Sequence, residues 1–340
     1  MLLYVVKRVG SAALMLLLVS MLIFIALRSL PGDPTTYALA QGAGVTEDAI
    51  ENMRRDLGLD LPIWAQYWNW VSGLVVGDLG TSYFSDFPVT TLIAQRLPAT
   101  IQLATMAMVL SVVIALTFAV LPVRWRSVIA HRIVDGFTAF GLAAPSFVIG
   151  IILILVFATG LEVLPTSGYV PWSTDPGQAL SFLILPGFTL AMAVAPQLIR
   201  YLQGSIGDVQ NATFVRTAQG KGIGWPRVVN RHIVPNALLP ALTSFGIMVG
   251  HLLGGSVVVE AVFAWPGIAQ LTVDAVFKRD YAIIQAVVLM ASAVFVVTTL
   301  VVDLLYGFLD PRLRVRSSRR RKTAAQATSP AEALTAGGQA

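Results

Sequence analysis

FVRTAQGKGIGWPRVVNRHIVP, Phe214 to Pro235, is a polar stretch lodged between two long apolar runs. It carries Arg216, Lys221, Arg227 and Arg231 and no carboxylate. Asp208 or Asn211 can cap a short helix through Gln219, Gly220 and Gly222 can end it, and Pro226 fits the first position of a second helix running to about His232. The spacing predicts a basic helix-turn-helix between two membrane spans, open to a partner on one side of a bilayer.

The flanking composition supports a membrane reading. The chain has 340 residues, of which 56% are hydrophobic and 12% charged, with a mean hydropathy of +0.75. An average soluble domain is about 25% charged, so the bilayer is the solvent here. Cysteine is absent, which excludes a disulfide framework, a thiolate metal site and a Cys nucleophile.

A spanning helix needs about 20 mainly apolar residues. Six segments qualify: Val9–Leu27, Thr100–Val123, Gly136–Leu161, Leu180–Ile199, Ala237–Val259 and Ala282–Leu305. The first is too long for the core of a secretory signal and no small-x-small site follows it, so it reads as a retained span. With both termini inside, 17 of the 23 Lys and Arg fall on the inner side, the bias that insertion selects. The expected fold is an all-α membrane protein of six transmembrane helices.

Outside the spans, Pro31-Gly-Asp-Pro34 predicts a turn. Thr46 can cap a short helix that Gly58 ends, and a second can begin at Pro62 and carry Trp64, Tyr67, Trp68 and Trp70. Those aromatics suit a membrane–water interface, and the helix either packs on the bundle or docks an external protein. Residues 260–281 are too apolar for a free loop and too interrupted for a span. They read as a re-entrant or cap-like segment over an outward cavity. Expected boundaries are 1–30 for the N-terminus and first span, 31–98 for an external insertion and 99–312 for a five-span core. A cytoplasmic loop occupies 208–236 of that core, and 313–340 form a basic, then disordered, tail.

Catalytic motifs are missing. Gly220-Lys-Gly222 lacks the hydroxyl residue of a phosphate-binding loop, and no His-Glu-x-x-His or Gly-x-Ser-x-Gly occurs. No metal, nucleic-acid or catalytic role is expected. His251 falls within a span, where an ionisable residue is either a functional group or a hydrogen-bonded packing element.

The loop, with its neighbours, resembles a known family. Val215-Arg-Thr-Ala-Gln-Gly-Lys-Gly222, Arg231-His232 and Asn236-Ala-Leu-Leu-Pro240 are similar to the cytoplasmic loop of peptide-type ABC importer permeases. Gly77-Asp-Leu-Gly80, Ala144-Pro-Ser-Phe147 and Val259-Glu-Ala-Val-Phe-Ala-Trp-Pro-Gly267 agree with it in order, up to about Arg314. Arg216 stands where the sugar-importer version has Glu, and His232 where it has Ile.

The chain is thus identified as a member of the OppB/DppB-like permeases of dipeptide and oligopeptide ABC importers. That resemblance implies a type I (MetI-like) permease fold with an external helical insertion, in a bacterial or archaeal inner membrane. It implies a second homologous permease, two ATPase subunits, an external solute-binding protein and lipid as partners. ATP and Mg would be used by the ATPases, with no cofactor on this chain. Phe214, Arg216, Thr217, Ala218, Lys221, Gly222, Pro226, Arg227, Arg231 and Pro235 become the expected ATPase-coupling contact. His251, Ser256, Glu260, Trp265, Pro266 and Gly267 are weaker candidates for a translocation path or external gate. Substrates of such permeases include peptides, glutathione, nickel chelates and haem.

Overall fold

The computed structural model describes residues 2–30, 35 and 47–309, and the described residues fold almost entirely into helices. The expected turn at Pro31–Pro34, the Thr46 cap and the basic tail lie outside them. The chain runs α1 Leu2–Ser29, α2 Glu47–Asp56, α3 Ile63–Val75, α4 Val89–Trp125, α5 Val128–Ala143 and α6 Ser146–Leu153. A π-helical stretch, Ile154–Gly160, extends α6. Then come α7 Pro176–Met192, α8 Ala195–Gln210, α9 Thr213–Gly220, α10 Trp225–Val228, α11 Val234–Val262, α12 Ile268–Lys278 and α13 Tyr281–Leu309.

The bundle is built around α4. Its buried positions include Ala99, Leu103, Ala107, Ser111, Ala115, Ala119 and Val123, spaced every four residues. A step of four residues drifts by about 40° around a helix, so this stripe winds as it runs. Small side chains let each successive partner approach closely. The stripe therefore meets α12 near its start, α7 along its middle and α8 toward its end. Gly187 of α7 is part of that approach, since a Cβ there would lie 2.7 Å from the Met106 side chain. Ser111 turns its hydroxyl back to the Met108 carbonyl, which satisfies a polar group that would otherwise be stranded.

Three of the six expected spans are unbroken: α1, α4 and α13 each hold a segment long and apolar enough to cross a bilayer. The third and fourth are not the continuous helices expected. Between α5 and α6 the chain turns through 108° at Ala144-Pro145, because proline removes a backbone donor and disfavours helix in the residue before it. Ser127 caps α5 by accepting from the Ala130 amide at 3.2 Å. Between α7 and α8 the axis bends by 51°, next to Pro196. Counting each bent pair as one span gives up to five. The remaining expected span falls in α11, a helix of 29 residues from Val234 to Val262.

The insertion follows its turn chemistry. Helix α2 ends at Gly58, whose φ is +62°, with Gly58 N–H donating to Arg55 and Leu59 N–H to Arg54. Helix α3 starts directly after Pro62, as expected. Tyr67 and Trp70 pack on Phe24 of α1, while Ser20 and Tyr67 share a hydrogen bond of 3.0 Å. An isolated antiparallel bridge pairs Thr81 with Pro88 just before α4.

Candidate functional site

Two assemblies form at opposite ends of α4. The first is the polar loop. Helix α9 ends in a Schellman motif: the Gly222 amide donates to Gln219 O at 2.9 Å and the Ile223 amide to Ala218 O at 3.3 Å. Gly222 takes φ +75°, whereas Gly220 stays inside the helix. The break therefore belongs to one glycine, not two.

The expected caps are also replaced. Ala212 is the N-cap of α9 without a side-chain bond, and Asn211 instead donates to Gly207 O at 3.2 Å, closing α8. Asp208 lies inside α8. Pro226 does open a helix, but that helix does not stop near His232. It passes through a π-helical turn, Val229–Ile233, directly into α11. The second half of this loop, which forms a foot under the bundle, is thus the start of the long helix itself.

Val215 and Ala218 of α9 and Val228, Val229 and Ile233 beyond it are buried against the bundle. Phe214, Arg216, Thr217, Lys221, Gly222, Pro226, Arg227, Arg231 and Pro235 are exposed. Of the expected contact residues, Ala218 alone faces inward. Trp225, which the sequence reading passed over, locks the foot in place. Its indole N–H donates to the Val123 carbonyl at 2.8 Å, and Arg126 stacks over its ring at 4.1 Å. Arg124, Arg227 and Arg231 then line an open groove of about 690 Å³, with Gly224, Pro226 and Pro235.

The second assembly gathers Glu260, Trp265 and Gly267. Glu260 is completely buried, and its carboxylate accepts from the Gln270 amide at 2.8 Å and the Thr100 hydroxyl at 3.3 Å. Thr100 Oγ1 in turn accepts from the Ile268 amide at 2.8 Å. The Trp265 indole donates to Ala99 O at 2.8 Å. A Cβ on Gly267 would overlap the Glu260 carboxyl, so only glycine fits. The six weaker candidates thus divide. Pro266 is partly exposed beside this knot, Ser256 is buried on α11 and lines a 760 Å³ apolar cavity, and His251 is exposed and apart. Thr100 and Gln270 carry the knot without having been singled out; a Thr two residues after Pro98 gives no pattern to find.

Beside the knot, Asp280 ties the insertion to the segment between α12 and α13. It accepts from the Ser82 hydroxyl at 2.6 Å and the Tyr83 amide at 3.1 Å. Burial pushes the Asp280 carboxyl above the usual carboxylate range, and burial likewise raises the Tyr83 hydroxyl. Among the described residues no group of His, Asp and Glu is placed to hold a metal ion.

Comparison with known proteins places these features in context. Residues 111–315 match the family model described as binding-protein-dependent transport system inner membrane component. Residues 1–104 match the model of the corresponding N-terminal region. The chain is 39% identical over 316 residues to the glutathione transport system permease protein GsiC of Escherichia coli strain K12. That alignment covers 93% of this chain and all of the relative. The same identity and coverage hold for GsiC of Shigella dysenteriae serotype 1 and of Pectobacterium atrosepticum.

Proposed function

We propose that this chain, which belongs to the family of inner membrane components of binding-protein-dependent transport systems, lines half of a peptide-importing channel driven through its Phe214–Pro235 foot. It is a multi-pass ABC importer permease subunit. In the proposed assembly it pairs with a second permease, two ATPase subunits bind on the cytoplasmic side, and a solute-binding protein delivers substrate outside. Both termini face the cytoplasm. ATP and Mg act on the ATPases.

The observation that carries this reading is the foot's division into two faces. Buried Val215, Ala218, Val228 and the Trp225 clamp fix it to the bundle, while a cationic row remains exposed. A lipid-facing basic loop would need the charges but not the rigid mounting. Closure of the ATPases would push on this row and swing α11, with which the foot is continuous, changing access to the channel. The substrate class is di- and oligopeptides; glutathione, itself a tripeptide and the cargo in the names of the relatives above, is the alternative.

The test uses the whole transporter in proteoliposomes with ATP inside. Arg216→Glu and Arg227→Glu together are expected to abolish uptake of labelled dipeptide, with the protein still inserted and monodisperse. Undiminished uptake would refute the coupling role. Parallel uptake of dipeptide and glutathione by the unmodified transporter decides the substrate.

A further inference from the structure

We infer that α3 is not an extramembrane helix but lies within the lipid leaflet beside α1, with its Trp64–Trp68–Val75 stripe in contact with acyl chains. The first ground is depth. In α1, Arg8 and Arg28 bracket 19 residues without an ionisable side chain, and at 1.5 Å per residue the two arginines stand about 30 Å apart. That is about the thickness of a bilayer's hydrocarbon core. Tyr67 reaches Ser20, eight residues inward from Arg28, or about 12 Å down the helix. Tyr67 and Trp70 both pack on Phe24, about 6 Å below Arg28. Helix α3 is therefore fastened beside the apolar length of α1, not above it.

The second ground is how α3 divides its faces. No residue from Ile63 to Val75 is Asp, Glu, Lys, Arg or His. At about 100° per residue, Tyr67, Trp70 and Leu74 point to one side, toward α1. Trp64, Trp68 and Val75 form an adjacent stripe, 74%, 69% and 83% exposed. Gln66, Asn69 and Gly73 occupy the remaining side. Such a three-way split suits a helix with protein on one flank, lipid on the next and water on the third. The third ground is continuity: Leu18, Leu22 and Ile25 of α1 are also exposed apolar residues at the same depth. Indoles at this level act as interfacial anchors. In the orientation proposed above this is the outer leaflet, and the depth of α3 along α1 is the same in either orientation.

The absence of cysteine makes the test direct. Trp68→Cys, Val75→Cys and Asn69→Cys are each spin-labelled in the full chain within its transporter, reconstituted in phosphatidylcholine–phosphatidylglycerol vesicles. Collision rates with oxygen and with a water-soluble nickel chelate are then compared. Labels at 68 and 75 are expected to meet oxygen several-fold more than the chelate, and the label at 69 to show the reverse order. Chelate dominating at 68 and 75 would place α3 in water and overturn the inference. Low collision with both reagents would show a protein partner covering the stripe, and would overturn it equally. Agreement between 68 and 75 guards against a local disturbance at either.

Discussion

Gly220 and Gly222 look interchangeable in the sequence, and the backbone separates them. Gly220 is helical with open space where a Cβ would go, so Gly220→Ala should raise stability by about 0.5–1 kcal/mol. Gly222 has equally open space but φ +75°, so Gly222→Ala should cost about 1–2 kcal/mol. Thermal unfolding of the purified transporter distinguishes them, with opposite shifts expected. Gly267 is the reverse case, an ordinary φ with no room. Gly267→Ala should cost about 2–4 kcal/mol by displacing a buried carboxylate from its amide and hydroxyl donors. Unaltered melting of that variant would show that the carboxylate has another resting place. Asp280 sets a pH dependence at this scale. Its folded pKa is raised, so the folded state holds the proton more tightly, and stability falls as pH rises from about 3.9 toward the raised value. Asp280→Asn keeps an acceptor for Ser82 and Tyr83 and should flatten that slope, read as melting temperature against pH.

At the scale of the element, the four-residue stripe of α4 makes the sharpest demand. Ala107 is fully buried where α7 crosses. Ala107→Leu should destabilise by about 1–3 kcal/mol or more through overpacking, while Val109→Leu on the exposed side should be silent; yield and melting of the purified complex read both. That stripe shows what was legible. Apolar length marked α1, α4 and α13, and the turn residues marked the C-terminal end of α2 and the start of α3. Length could not show that Pro145 turns its chain by 108°, while Pro98 and Pro122 sit inside an unbroken α4. A proline's effect depends on whether neighbouring helices accept the freed backbone groups, which is a tertiary fact. The foot was legible as cationic and glycine-broken. Its continuity with α11 was not, because a π-helical turn leaves no compositional mark.

Across the whole molecule, α4 links the two assemblies through a repeated device. The Trp225 indole donates to Val123 O at one end, and the Trp265 indole donates to Ala99 O at the other, both at 2.8 Å. The two carbonyls are 24 residues apart on one helix, a span of about 36 Å. The foot thus has two routes into the bundle, α11 by continuity and α4 by the Trp225 clamp. A push on the foot that moved α11 alone would leave the Trp225 bond strained, so both helices must shift together while the clamp holds. Trp225→Phe keeps an aromatic face for Arg126 and removes only the N–H, at a cost of about 1 kcal/mol; Trp225→Ala removes both contacts. If α4 is part of the lever, substrate imported per ATP hydrolysed should fall from wild type to Phe to Ala, with ATPase activity and membrane insertion retained. A ratio that stays constant across the series would mean that α11 alone carries the stroke and that the clamp serves only to fix the foot.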